Sequence, residues 1–157
     1  MATEIERKFL VANDSWRAAV IRSERMTQGY IARGPTATVR IRLIDGDDAM
    51  LTLKGKTVGV SRPEFEYAIP RDEAEDLLVL CGEARLSKTR HFIEHVGHEW
   101  TIDVFEDRLS GLIVAEIELG DEAESFATPS WLGEEVSQDK RYANALLVDA
   151  TAPPIRN

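Results

Sequence analysis

The chain has 157 residues, of which 43% are hydrophobic and 30% charged, so it can form one domain with a buried core. Its formal net charge of −9 argues against a nucleic-acid binder, because such proteins present a basic surface to the phosphate backbone. Cys81 is the only cysteine, which excludes an internal disulfide. There is no apolar run of membrane-spanning length and no signal peptide at the start, so we expect a cytoplasmic protein that binds no membrane.

The opening stretch, residues 3–11, predicts a β-strand whose side chains alternate between two faces. Glu4, Glu6 and Lys8 then share one face, whereas Arg7 lies on the opposite face among apolar side chains. The ordinary interpretation of such a strand is that its charged face meets water. Because the same charged alternation returns along the rest of the chain, the two faces have to be compared over the whole sheet.

A short helix and four strands are predicted next. Asn13 or Asp14 can cap the helix, which is expected to end near Arg22. The middle two of the four strands form a hairpin around a turn at residues 45–48. The four strands cover residues 26–32, 38–43, 50–54 and 64–67.

The second half of the chain mixes helices and strands. Pro70 and the acidic residues after it predict a helix that ends at about Leu80, before Gly82. The remaining predicted elements are a hairpin with arms at 88–92 and 100–105, a strand at 113–119, a short helix after Asp121 and a last helix at 139–148. We see no internal boundary and expect residues 1–157 to form a single domain.

The number and the connections of the strands predict the fold class. About eight strands, joined mostly by turns, indicate an antiparallel sheet, and that number suits a small closed barrel. The predicted class is α+β, mainly β: an eight-stranded antiparallel closed barrel with a few helices packed outside.

The two faces of the predicted strands differ in composition. One set is apolar: Ile5, Phe9, Val39, Ile41, Leu43, Leu51, Leu53, Phe65, Ile102, Val104, Ile117 and Leu119. The other set is charged: Glu4, Glu6, Lys8, Arg40, Arg42, Lys54, Glu64, Glu66, Lys88, Arg90, Asp103, Glu116 and Glu118. Either the charged set lies in water outside an apolar barrel, or the apolar set packs outward under helices and the charged set lines a wet tunnel. The separation of cationic from acidic strands favours the tunnel, since a surface selected for solubility alone would mix the two signs.

A tunnel lined by the charged set would bind both anions and cations. It would hold six cationic and seven acidic side chains, and two carboxylates about 4 Å apart repel each other by roughly 4 kcal/mol at an intermediate dielectric. Divalent cations would relieve that repulsion, and oxygen-rich sites suit Mg2+ or Mn2+. A pair of Mg2+ ions would bring the lumen to about +3, which suits a chain of phosphates held between metals and Lys or Arg side chains.

The charged motifs together resemble a known family. These motifs are Glu4-x-Glu6-x-Lys8, Arg40-x-Arg42, Lys54, Glu64-x-Glu66, Lys88-x-Arg90, Asp103 and Glu116-x-Glu118. In this order they are similar to the triphosphate tunnel metalloenzymes, or CYTH superfamily, from residue 3 to about residue 145. The similarity is greatest to small bacterial members that hydrolyse inorganic tripolyphosphate. It implies an eight-stranded tunnel and a divalent-metal-dependent triphosphatase that uses Mg2+ or Mn2+.

The resemblance also implies roles for individual residues. The implied metal ligands are Glu4, Glu6, Glu116 and Glu118, with Asp103 and Glu64 as further candidates. The implied phosphate-binding residues are Lys8, Arg40, Arg42, Lys54, Lys88 and Arg90, with Lys140 able to close over the tunnel. Lys88 is also the candidate for assisting the leaving group, and Tyr30 is a candidate proton acceptor whose alternative role is packing. The expected partner is a small-molecule triphosphate, bound by a monomer or homodimer.

Other functions stay open at this point. Some family members are thiamine triphosphatases or class IV adenylate cyclases, and a polyphosphate sensor would keep the cationic wall without hydrolysis. The cyclase is disfavoured because its His-Phe pair before Glu-x-Glu-x-Lys is replaced here by Met1-Ala2-Thr3. No aromatic cluster in the sequence clearly marks a pocket for an adenine or a thiazolium ring.

Overall fold

Strands dominate the computed structural model, which describes residues 2–156. Apolar and polar side chains alternate along these segments, a period of two that suits a sheet with two different faces. The strands within residues 2–156 are β1 (Thr3–Val11), β2 (Val20–Arg33), β3 (Ala37–Ile44), β4 (Asp48–Gly55), β5 (Ser61–Ala68), β6 (Arg85–His95), β7 (His98–Phe105), β8 (Ile113–Glu118) and β9 (Leu132–Glu135).

The sheet closes on itself because β1 pairs with strands on both of its sides. The strand order is β5-β4-β3-β2-β6-β7-β8-β1, and β1 also pairs with β5. The first residues of β1 pair with β5, and residues 6–10 pair with β8, all antiparallel. The predicted eight-stranded closed barrel is confirmed. The short β9, which pairs with β1 at Phe9 and Val11, is an additional strand that was not among the predicted elements.

The apolar face of the barrel points outward and is covered by the segments between the strands. Helix α1 (Arg71–Leu80), where a helix was predicted, packs through Leu78 on one side of the barrel. Trp16 and Trp131 cover another side, around the fully buried Trp100 of β7. Burial of this apolar surface favours a barrel whose charged strand faces point toward the axis. The alternative, in which the charged set lies in water outside the barrel, is therefore wrong.

The C-terminal segment covers a third apolar cluster at one end of the barrel. It consists of a 3-10 helix at Lys140–Tyr142 and the one-turn helix α2 (Asn144–Leu147). The single helix predicted for 139–148 is therefore wrong, because Ala143 between the two turns has an extended backbone. Tyr142 and Leu147 are buried among side chains of the barrel strands, which fixes the segment beside the tunnel.

Two other predicted helices are also corrected by the structure. After Asn13 the chain forms only a 3-10 helix at Ser15–Ala19, since the residues from Val20 onward pair with β6 as part of β2. After Asp121 there is a single turn, in which the Glu124 N–H donates to the Asp121 backbone oxygen, and residues 124–129 have no regular secondary structure. Over residues 2–156, no helix has the length and apolar character needed to cross a membrane.

Candidate functional site

A cavity of about 440 Å³ lies inside the barrel and is lined mainly by charged side chains. All the charged residues predicted to face inward line this lumen except Asp103, which lies behind its wall. A second cavity of about 480 Å³ shares Glu4, Glu6, Lys8 and Lys54 with the first and extends to the C-terminal segment. The lumen therefore continues into a mouth beside that segment.

Carboxylates of neighbouring strands face one another on the acidic wall of the lumen, formed mainly by β1 and β8. Glu6 of β1 lies directly opposite Glu118 of β8. Burial and the charges of Glu116 and Glu4 raise the pKa of Glu6 to about 8. Burial and the charges of Glu4 and Glu64 also raise the pKa of Glu118. The raised pKa values indicate that nearby cations, Lys54 among them, compensate the charge of these carboxyl groups only in part.

Other carboxylates of the acidic wall are paired with cations of the chain itself. Lys54 Nζ donates to the two carboxylate oxygens of Glu4 at 2.8 and 3.0 Å, and Arg62 Nε donates to Oε2 at 3.1 Å. Burial alone would raise the pKa of Glu4, but these two cations outweigh it and lower the pKa to about 2. Burial would also raise the pKa of Glu116, but Lys8, whose Nζ lies 3.7 Å from a Glu116 oxygen, acts together with Arg90 and Lys88 to lower that pKa to about 2.

Asp103 lies behind the wall of the lumen and forms ion pairs with two cations of that wall. Lys88 Nζ donates to Asp103 Oδ2 at 2.6 Å, and Arg90 donates to both oxygens, from Nε at 2.7 Å and from Nη2 at 2.9 Å. Burial would raise the pKa of Asp103, but the two cations hold it well below its usual range. Burial and the positive charges of Arg90 and Arg42 lower the pKa of Lys88. The negative charge of Asp103 offsets the decrease only in part, so that the pKa of Lys88 falls to about 7. An amine with such a pKa on the cavity wall is suited to proton transfer near neutral pH.

Arg40 and Arg42 extend the cationic wall along β3. Arg42 Nε donates to Gln28 Oε1 at 2.8 Å, and burial together with Arg40 and Arg90 lowers the pKa of Arg42 to about 9. Arg40 Nη2 donates to Thr52 Oγ1 at 3.2 Å, whereas its buried Nε has no hydrogen-bond partner within residues 2–156. Guanidinium groups held close together against their mutual repulsion are suited to binding a polyanion.

Tyr30 lies beside the C-terminal segment, and Lys140 belongs to that segment. Tyr30 lines the lumen and also packs in the apolar cluster beneath that segment. Lys140 is exposed and lines the mouth rather than the lumen. Arg7 points out of the barrel, where its guanidinium pairs with Glu135 at 2.6 Å, as the alternation along β1 predicts.

Some polar residues that the sequence analysis did not single out also reach the lumen or its wall. Arg62 lies two residues before Glu64 on β5, so the same alternation could have indicated it. Gln28 lies two residues before Tyr30 on β2 and is fully buried behind the wall. Asn144 gives no such signal, because it belongs to α2 and reaches the lumen only through the packing of the C-terminal segment.

The acidic wall has the donor chemistry of a divalent-cation site. Carboxylate oxygens are the ligands that Mg2+ and Mn2+ prefer, and the negative charge of Glu6 and Glu118 is only partly compensated by nearby cations. Within residues 2–156, no three acidic, histidine or cysteine side chains already converge as a metal site, and Glu4 is turned toward Lys54. The residues therefore fit a divalent cation because they offer carboxylate oxygens and carry an excess of negative charge.

Comparison with known proteins gives a consistent result over nearly the whole chain. The CYTH domain family matches residues 2–147. The chain is 40% identical over 149 residues to the inorganic triphosphatase of Acetivibrio thermocellus, covering 94% of each protein. It is 38% identical over 149 residues to the inorganic triphosphatase of Nitrosomonas europaea, covering 92% of this chain and 96% of that one. The crystal structure of the inorganic triphosphatase NE1496 has a TM-score of 0.70 and 34% identity, covering 98% of this chain and 99% of that one.

Proposed function

Because the chain belongs to the CYTH domain family, we propose that it is a metal-dependent inorganic triphosphatase that hydrolyses the terminal phosphate of tripolyphosphate. The observation that carries this proposal is the lumen, in which a cation-deficient acidic wall meets a wall of Lys and Arg side chains. Such a pair of walls suits a chain of phosphates better than a single phosphate group. Relatives at 38–40% identity that are named inorganic triphosphatases support the same reaction for this chain.

The acidic wall is the proposed metal site. Glu4, Glu6, Glu116 and Glu118, with Glu64 beside them, would hold Mg2+ or Mn2+ through carboxylate oxygens. When bound, the metal neutralises phosphate charge and lowers the pKa of the attacking water. The chain's own contribution is a set of carboxylates whose mutual repulsion favours binding of a cation.

The cationic wall binds and orients the substrate. Its members are Lys8, Arg40, Arg42, Lys54, Arg90 and Arg62, all of which line the lumen. Because their positions are fixed by burial and hydrogen bonds, they can stabilise charge that develops on the phosphates without rearranging during the reaction. Lys140 lies at the mouth, where its ammonium group is available to a phosphate that enters or leaves.

Lys88 is the proposed proton donor to the leaving phosphate oxygen. Its pKa of about 7 allows it to give up a proton near neutral pH. The resemblance implied Asp103 as a further metal ligand, but both of its oxygens are engaged by Lys88 and Arg90. We propose that Asp103 instead fixes these two cations, while Tyr30, which lines the same cavity, is the candidate proton acceptor.

One copy of the chain supplies the whole lumen, so the proposed reaction needs no second subunit. We therefore expect residues 1–157 to act as a single domain in a monomer or homodimer. The proposed partner is the small triphosphate alone, and the expected compartment is the cytoplasm.

The test is phosphate release from tripolyphosphate, ATP and thiamine triphosphate, each with and without Mg2+ or Mn2+. We expect tripolyphosphate to be the best of the three substrates and its hydrolysis to require the metal. Cyclic AMP from ATP would indicate a cyclase, and faster release from thiamine triphosphate would indicate a thiamine triphosphatase. Tight binding of tripolyphosphate without phosphate release from any substrate would indicate a polyphosphate sensor and contradict the proposed enzyme.

A further inference from the structure

Two amide side chains, the buried Gln28 and the half-buried Asn144, connect the cationic wall to the C-terminal segment. Gln28 Oε1 accepts a hydrogen bond from Arg42 Nε at 2.8 Å, and Gln28 Nε2 donates to Asn144 Oδ1 at 3.1 Å. The same Asn144 oxygen accepts a hydrogen bond from Lys88 Nζ at 3.0 Å. The result is a continuous path from Arg42 through two neutral amides to Lys88.

The direction of every hydrogen bond in this path is determined by the two cations at its ends. A guanidinium and an ammonium can only donate, so the atom that each one meets must be a carbonyl oxygen. Once Gln28 turns its oxygen to Arg42, its NH2 group has to face Asn144. Asn144 must then present its oxygen to Gln28 and to Lys88 at once. Neither amide can rotate without breaking a contact with a cation, so the pair is fixed in one orientation.

The same contacts leave part of each cation free for a ligand. The Lys88 ammonium has three N–H donors, of which one is used by Asp103 and one by Asn144. Arg42 uses its Nε on Gln28, which leaves the two terminal nitrogens directed away from that contact. Both cations are among the residues that line the lumen. Lys88 has no solvent-exposed surface, so its remaining donor would meet only a phosphate that packs directly against the wall.

Neutral acceptors suit this position better than carboxylates. A second carboxylate beside Asp103 would neutralise the charge of Lys88 and repel the substrate. An amide oxygen orients the ammonium group without cancelling its positive charge. The C-terminal segment that carries Asn144 is held in place independently. Lys8 Nζ donates to the Tyr142 backbone oxygen at 3.2 Å, and Arg33 donates to the Ala145 backbone oxygen at 3.0 Å.

We propose that Asn144 and Gln28 are positioning residues, with Asn144 directing Lys88, and Gln28 directing Arg42, toward the triphosphate. The proposal rests on the proposed triphosphatase function. It gives the C-terminal segment a role in the reaction that goes beyond covering the end of the barrel.

The first test is the variant Asn144→Ala with tripolyphosphate as substrate. We expect kcat to fall by about tenfold to a hundredfold, the usual effect of losing a residue that orients a reacting group, while KM changes by less than about threefold. Asn144→Asp restores an acceptor and adds a charge. Its kcat should therefore exceed that of the alanine variant, and its KM should rise. Asn13→Ala, the same substitution on the outer surface, should keep kcat and KM within about twofold of wild type.

A double-mutant cycle separates positioning from a structural role. In a Lys88→Met background, Asn144→Ala should cost less than about twofold in kcat, since Asn144 acts through Lys88. Equal losses in both backgrounds would overturn the proposal for Asn144. Gln28→Ala should raise KM by about tenfold, because Arg42 binds the ground state as well as the transition state. An unchanged KM in that variant would overturn the proposal for Gln28.

A measurement without substrate distinguishes failure of this proposal from failure of the proposed function. The 1H–15N signal of the Lys88 ammonium group, identified by its loss in Lys88→Met, reports the contact with Asn144 directly. We expect its protons to exchange with water faster in Asn144→Ala, and at the wild-type rate in Asn13→Ala. An unchanged exchange rate in Asn144→Ala would overturn the proposal even for an active enzyme. A changed rate in a protein that releases no phosphate would reject only the triphosphatase.

Discussion

At the scale of single residues, the alternation along β1 separates the residues that act on the substrate from those that do not. Glu6 and Lys8 line the lumen, whereas Arg7 between them pairs with Glu135 outside the barrel. We expect Glu6→Ala and Lys8→Ala each to lower kcat/KM for tripolyphosphate by about a hundredfold or more, because each removes a metal or transition-state contact.

Arg7→Ala is the matched control for these two variants. The Arg7–Glu135 pair is exposed, and such pairs contribute roughly 0–1 kcal/mol to stability. We therefore expect near-wild-type activity and a small change in melting temperature. A loss of activity in Arg7→Ala as large as that in Glu6→Ala would contradict the assignment of the two faces.

Glu6 also gives a prediction for the metal-free protein. Its folded-state pKa of about 8 lies above its ordinary value of 4.5, so its contribution to stability is present below pH 4.5 and is lost as the pH rises through 8. Glu6→Gln keeps the shape and removes the ionisation. In EDTA at pH 9 we expect the variant to melt above wild type, with a smaller difference at pH 6. A variant that melts below wild type at pH 9 would show that Glu6 is not repelled by its neighbours.

At the scale of elements, the apolar strand faces stabilise the barrel from outside. Trp100 of β7 is fully buried, with its ring 5.4 Å from Trp131 and 5.8 Å from Phe9. We expect Trp100→Ala to reduce the free energy of unfolding by about 3–5 kcal/mol, measured by chemical denaturation.

Arg42→Met is the comparison from the inner face of the barrel. Arg42 is also buried, but burial and neighbouring cations disfavour its charge. We expect this variant to lose activity while its free energy of unfolding changes by less than about 1 kcal/mol, since one hydrogen bond to Gln28 is lost and a repulsion is relieved. If Arg42→Met were as destabilising as Trp100→Ala, the lumen rather than the outer face would hold the barrel together.

The elements that the sequence predicted well are those with a strict period of two. Strands such as β3 and β4 follow the pattern from end to end, and the turn between them is marked by Asp and Gly residues. The helix expected near residues 13–22 was wrong because pairing with β6 outweighs the local capping signal. Ala143 likewise interrupts the predicted last helix because the segment has to follow the end of the barrel. Local propensity does not contain these tertiary constraints.

At the scale of the whole molecule, closure of the barrel is what makes the candidate site predictable. Once the strands are known to close, all but one of the charged residues predicted to face inward line the same lumen, and Arg62, two residues from Glu64, follows the same alternation. Asp103 lies on the inward-facing side of its strand but behind Lys88 and Arg90. The alternation of side chains predicts which side a residue faces but not how deep in the wall it lies. Asn144 could not be predicted because it enters from a helical turn, which follows no strand period.

The extent of the cationic wall predicts a preference for substrate length. Cations line the lumen from Lys8 and Lys54, near the mouth, to Arg40, Arg42 and Lys88, so a run of three phosphates can contact more of them than a run of two. Contacts made by the third phosphate can be used to stabilise the transition state at the reacting phosphorus. We therefore expect kcat/KM for tripolyphosphate to exceed that for pyrophosphate by about a hundredfold or more at saturating Mg2+.

Arg40→Gln tests whether the length of the wall causes this preference. The variant shortens the cationic wall but keeps the acidic wall and Lys88, so kcat/KM should fall more for tripolyphosphate than for pyrophosphate. The measurement is phosphate release from both substrates by both proteins at one ionic strength, because contacts with phosphate weaken as salt is added. Comparable values of kcat/KM for the two substrates in the wild type would contradict a lumen that binds three phosphates in a row.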